Sequence, residues 1–311
     1  MRYSGFLVLF IFSSFHAWGQ TLAELEREVD SMIRRSEKSD VVIGLGYGNN
    51  LAYDKKINTY TAQDLILKPY LSPSLTYYHK SGLNAGVSTY YLFKANDQPW
   101  FEWDLSAGYD YTKSRRFLAG ITYTKYLFTR SREDIMATPI TNELFAYYAY
   151  RGWWLQPVLS ADFGWGKEKD PVFRKLYSVT HGQDINFIAS LRHDFMFIDV
   201  LRHNDALLLT PSVNFTAGTA NYYSELESFQ YMMQSNKGRM ALPPPPGPYT
   251  PQKQADINTG FEARALDVSF HLSYLVGRVT LAPSYTVFKL LTASSGSGIS
   301  GYFTAHMSIS L

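Results

Sequence analysis

No cysteine occurs anywhere in the sequence, which excludes a disulfide framework and a lipid-modified cysteine behind an export signal. No stretch offers the roughly 18 uninterrupted apolar residues that a membrane-spanning helix requires. An excess of one charge is lacking too: 29 Lys and Arg against 27 Asp and Glu leave a formal net charge of +2, so nucleic acid is not an expected partner. Motifs that carry chemistry are equally sparse. Seven histidines occur, none with the HExxH spacing of a zinc site, and no GxSxG marks a hydrolase elbow. "RHD" at 192–194 and "RHN" at 202–204 are single histidines beside charges. His271 with Ser273, and His306 with Ser308, share a strand parity, but neither pair carries a lipase motif. The expectation is therefore no enzyme, no metal and no cofactor.

Aromatic residues are abundant instead, with 24 Tyr, 20 Phe and 6 Trp. They fall in a pattern. In "WFEWDLSAGYDY" (100–111), Phe101, Trp103, Leu105, Ala107, Tyr109 and Tyr111 alternate with Glu102, Asp104, Ser106, Gly108 and Asp110. Alternation of this kind is the period of a β-strand, whose successive side chains point to opposite faces. It recurs over about a dozen segments: 41–50, 66–79, 83–94, 100–112, 116–129, 143–150, 153–165, 185–198, 206–217, 265–276, 278–290 and 301–311. A tilted membrane strand needs ~9–11 residues, and most of these segments have them.

The connections alternate in length. Short turns at 80–83, 112–115, 150–153, 202–205 and 276–279 are interleaved with longer links at 51–65, 130–142, 166–184, 218–264 and 291–300, and with one brief link at 95–99. Short turns on one side and long loops on the other characterise outer-membrane barrels. A soluble sandwich would load its outer face with Lys and Glu. Here the less apolar face is small and neutral, as in Ser72, Ser74 and Thr76 or Gly120, Thr122 and Thr124, which suits a confined wet lumen. The apolar face should therefore meet lipid, with Trp100, Trp103, Tyr109, Tyr111, Trp153 and Trp165 as interfacial girdles. The fold class expected is all-β, a transmembrane antiparallel up-and-down β-barrel of about 12 strands with a short N-terminal periplasmic helix. At ~4.8 Å spacing and ~40° tilt its circumference is roughly 75 Å, leaving a passage on the order of 10 Å.

Several local features complete the reading. Arg2, the apolar run Phe6 to Phe12 and the small residues Ala17 and Gly19 form a signal peptide over 1–19. Residues 20–39 read as a periplasmic helix, with Thr21 and Glu24 in a capping box and Leu22, Leu25, Val29, Met32 and Ile33 on one face. Residues 40–311 are the barrel. Leu-x-Pro recurs around Pro73, Pro157, Pro211 and Pro283, each on the apolar parity, and suggests bulges near the rim. Loop 218–264 contains "LPPPPGPYTPQ", a stiff polyproline II segment, beside apolar residues expected to fold onto the barrel. The lumen parity carries Lys68, Lys80, Lys94, Glu102, Asp104, Asp110, Asp162, Arg192, Asp194, Asp267 and His271, which should pair into a mixed ladder because unpaired charge is costly in so narrow a space.

The signal peptide, the hairpin "FEARALDVSFHLSYLVGRVTLAPSYTVF" (261–288) and the terminal strand "GYFTAHMSISL" (301–311) together resemble the Bacteroidetes-type outer-membrane β-barrel proteins, many of unassigned function. The resemblance covers residues 40–311 and implies an outer-membrane location in a Gram-negative bacterium. The partners it implies are outer-membrane lipid and, through Gly301 to Leu311, the barrel-insertion machinery; the last residue is Leu where Phe is typical of that signal. A small polar solute is the further partner expected. The function expected is a narrow or gated channel for small polar solutes. Alternatives are an interaction barrel displaying its loops, and an outer-membrane lipid hydrolase.

Overall fold

The computed structural model describes residues 38–48, 51–53, 65–67, 69–93, 99–111, 113–114, 116–128, 140–173, 176–219, 261–291 and 299–311. The expected signal peptide, all but the last two residues of the helix expected at 20–39, Lys68, Lys94 and most of loop 218–264 lie outside them.

Twelve strands close into an antiparallel barrel. They are β1 (Asp40–Gly48), β2 (Tyr70–Tyr78), β3 (Leu83–Leu92), β4 (Trp100–Tyr111), β5 (Phe117–Phe128) and β6 (Asn142–Tyr150), followed by β7 (Gln156–Phe173), β8 (Leu176–Arg192, resumed at Phe195–Ile198), β9 (Asp205–Gly218), β10 (Glu262–Val276), β11 (Val279–Leu290) and β12 (Ile299–Ser310). Each pairs with the next, and β1 pairs both with β2 (Val42↔Thr76) and with β12 (Val42↔Ser310), which leaves the sheet no edge. A separate two-stranded ribbon joins Leu51–Tyr53 to Leu65–Leu67. The expected strand beginning at residue 66 therefore starts at Tyr70 instead.

Burial is inverted relative to a water-soluble fold. On β4, Trp103 is 47% exposed while its neighbours Glu102 and Asp104 are 3% and 6% exposed. The same holds around the barrel: Ile43, Leu45, Leu159, Phe215, Phe270 and Met307 are exposed, and Asp162, Asn186, Thr216 and Asp267 are buried. An apolar band this continuous would drive aggregation in water and is stable against lipid. Aromatic contacts frame it: Tyr91 packs edge-on against Trp100 at 5.2 Å toward the long loops, while Phe117 stacks on Tyr111 at 5.5 Å toward the short turns.

The turns follow from their residues. Gly277 has φ +58° in a two-residue connection between Val276 and Val279, a conformation that hairpins of this length favour and that glycine adopts without steric cost. At the β8–β9 turn, Asp199 and Asn204 also have positive φ. The Asp205 carboxylate holds that turn by accepting from the backbone N–H groups of Val200, Leu201 and Arg202 and from the Tyr274 hydroxyl.

Two expectations are corrected. The link at 166–184 is not a loop: β7 and β8 continue to Phe173 and Leu176, paired as Gly166↔Gly182 and onward. Beyond Trp165 and Asn186 neither strand has its outer neighbour, so the two form a free ribbon reaching roughly 25 Å past the barrel at ~3.3 Å per residue. With no lipid on either face, that ribbon needs no apolar alternation. The four prolines likewise make no bulges. Pro211 opposes His193, whose N–H donates to the Pro211 carbonyl at 3.2 Å, but it has no N–H to return; Arg192↔Ser212 and Phe195↔Leu209 keep one register across it. Pro73 and Pro283 interrupt β2–β3 and β10–β11 in the same way, without a shift.

Candidate functional site: the barrel lumen

The inward face is built from small residues on one wall and polar residues on the other. β1 presents Gly44, Gly46 and Gly48 inward. A side chain there would collide with His306 and Ser74, with Ser72, or with the Tyr70 ring, whose atoms lie 2.6–2.8 Å from the Cβ position at Gly48. These glycines give their neighbours room to cross the lumen. The space that remains is a cavity of about 570 Å³ extending along β2–β8, with Ser74, Thr76, Ser88, Ser106, Thr124 and Ser160 in its wall.

Among the described residues, Asp110 and Asp267 are met by neutral groups instead of by cations. Asp110 is half-buried and met by neutral donors: Asn84 Nδ2 gives to one oxygen and the Tyr147 hydroxyl to the other, both at 2.8 Å. Asp267 accepts from Asn214 Nδ2 at 2.5 Å and from Ser269 Oγ at 3.2 Å. Amides and hydroxyls stabilise a carboxylate without the desolvation cost of a second ion, and that accounts for the difference. Arg192 and Asp194 do form an ion pair, at 3.7 Å, while Asp194 accepts from Thr210 Oγ1 at 2.9 Å. Asp104 lines the cavity with Ser88 Oγ 3.4 Å away, and Glu102 lies buried one alternation further toward the long loops. His271 is exposed and hydrogen-bonds Ser273 at 3.1 Å through Nε2. That pair lies on the inward parity of β10, away from lipid.

Toward the long loops the lumen narrows into buried polar groups. Asp162 on β7 lies opposite Asn186 on β8, each 1% exposed, and neither the Asp162 oxygens nor Asn186 Nδ2 makes a hydrogen bond of good geometry among the described residues. Asp184, two residues along β8, accepts from the Thr219 hydroxyl. Arg264 reaches the same layer through a bulge. The register moves from Thr216↔Ala265 to Ala217↔Ala263, leaving Arg264 as the extra residue. It turns inward, where Nε donates to the Gly218 carbonyl at 3.1 Å. Bulges re-aim side chains in this manner.

Four charged residues of the lumen were not apparent from sequence. Asp184 sits at the end of what looked like a loop, Arg151 in a turn, and Glu143, 1% exposed, on the first inward position of β6. Arg264 falls on the lipid parity of an unbroken β10; an arginine facing lipid is costly, and that conflict was the available signal of a bulge.

The Arg151 guanidinium, which follows β6, is drawn down from its ordinary value by desolvation and then by the charge of Arg192. The Asp194 carboxylate acts on it in the opposite sense, and both arginines border the cavity at the short-turn end.

No family model matches the sequence, and no curated protein matches it. Among solved structures the chain is similar to the NanC porin, at 6% identity and TM-score 0.44 over 87% of this chain and 100% of that one. It is also similar to the β domain of the Bordetella autotransporter BrkA, at 9% identity and TM-score 0.46 over 88% and 100%. A third likeness is to an outer membrane channel from Pseudomonas putida F1, at 10% identity and TM-score 0.42 over 88% and 96%.

Proposed function

We propose that this chain is an integral outer-membrane barrel of the Bacteroidetes-type kind, working as a narrow or gated channel for small polar solutes. The observation that carries the reading is the inverted burial around a polar cavity of about 570 Å³. A barrel serving only as an anchor gains nothing from keeping such a cavity, since apolar filling would stabilise it more. In this reading the short turns and residues 20–39 face the periplasm, the long loops face outward, and the strand ending at Leu311 engages the insertion machinery.

A second reading, an interaction barrel closed to solute, is favoured by the layer of inaccessible residues toward the long loops, among them Tyr70, Tyr90 and Tyr126 at 2% exposure each. Single-barrel recordings in planar bilayers separate the two. The channel reading expects conductance steps from the intact protein, or from variants lacking 21–38 or 222–254 if either segment is a gate. Silence from all three would establish the interaction barrel instead.

A further inference from the structure

We infer that the short-turn end of the lumen is a binding site for a small organic carboxylate, held between the guanidinium groups of Arg151 and Arg192. The proposal rests on the channel reading in one respect, that solute reaches the lumen from bulk water. Both arginines border the same cavity. They converge from different elements, Arg151 from the turn after β6 and Arg192 from the end of the long β8 segment, where it opposes Gln156 and Ser212. Each guanidinium carries five N–H donors, and little in the protein uses them.

Arg192 has its ion pair with Asp194 at the long distance of 3.7 Å, and its Nε is buried with no hydrogen-bond partner. Asp194 in turn is engaged by Thr210. Among the described residues no carboxylate forms an ion pair with Arg151; Asp194 acts on it only at longer range. The other acid on this part of the wall, Asp110, has each oxygen engaged, by Asn84 and by Tyr147. Two cations thus border one end of the same cavity with donors left over, and the charge of Arg192 acts against that of Arg151. A carboxylate in a bidentate contact would satisfy those donors and offset that repulsion.

The rest of the wall selects an organic acid over an inorganic ion. Leu118, Phe145 and Val158 border the cavity beside the hydroxyls of Tyr78 and Ser160, so a short apolar body has surface to cover while its carboxylate meets the arginines. A space of about 570 Å³ is in the range of small-molecule sites.

The test uses the full-length barrel folded in detergent, with sodium benzoate as the probe and phenylglyoxal as an arginine reagent read by mass spectrometry. Benzoate should slow modification of Arg151 and Arg192 several-fold and saturably. The exposed turn residues Arg116, Arg202 and Arg278 should react as before, and sodium chloride at equal ionic strength should not protect. Arg192→Gln should abolish saturable protection of Arg151; Arg151→Gln, an exposed turn position, gives the reciprocal test if the first variant does not fold. Equal protection at all five arginines, or none at Arg151 and Arg192, overturns the site. Conductance of the same preparation keeps the two ideas apart: steps without protection sink the site alone, and protection without steps upholds the site while sinking transport.

Discussion

Asp162 illustrates how the interior of this barrel is balanced residue by residue. Its carboxylate is buried beside Asn186, yet neither oxygen has a hydrogen bond of good geometry, whereas Asp110 and Asp267 on the same inner wall are each met by two neutral donors. A buried acceptor left unmet costs about 1–3 kcal/mol, and more when charged. Asp162→Asn preserves shape and removes the charge, so the variant should unfold at a higher temperature than the parent. Thermal unfolding in detergent, followed by the gel shift between folded and heated barrel, measures the difference. A lower unfolding temperature in the variant would mean that the carboxylate is holding a cation.

At the scale of single strands, β1 is the tightest element. Its inward side is glycine at every position from 44 to 48, and its outward side is Ile43, Leu45 and Tyr47 against lipid. Gly48→Val would drive a branched side chain into the Tyr70 ring, which is 2% exposed and has nowhere to retreat. Overpacking of that kind costs about 1–3 kcal/mol, so the unfolding temperature should fall clearly. Gly46→Ala should cost much less, because only the Ser72 hydroxyl stands in the way and it can rotate. Equal losses in the two variants would argue against a shape-specific contact.

Strands were also the level at which the sequence was most readable. Segments such as 100–111 and 265–276 stand between lipid and lumen, so their two faces must differ and the alternation declares itself. Legibility failed where that constraint lapses. The β7–β8 ribbon beyond Trp165 has no lipid on either side, and its charged run at 167–170 reads as a loop. Arg264 is inverted by one extra residue, which shifts every parity argument beyond it. Arg151 and Arg192 illustrate a third limit: one lies in a turn and the other 41 positions on, at the far end of a hairpin. Only the closed sheet brings them to one cavity.

The whole molecule is asymmetric along its axis, and the asymmetry fixes how it should sit in a membrane. Five connections are short and end in compact turns such as Gly277–Arg278, while the opposite rim carries the β7–β8 ribbon and the longest connection, between Gly218 and Glu262. Asp40 and Ser310, the outer bounds of the sheet, both lie at the short-turn end because twelve is an even number of strands. Outer-membrane barrels keep their short turns in the periplasm and carry their longer loops outside. Protease added to intact cells should therefore cut between Pro243 and Gln254, within the proline-rich segment, and leave the closed barrel folded. The fragments should remain together until heated, because β9 and β10 on either side of the cut are joined over 205–218 and 262–276. Cleavage that appears only after the outer membrane is permeabilised would reverse the orientation. The Arg151–Arg192 end of the lumen would then open to the exterior, and any solute held there would be met on entry instead of on release.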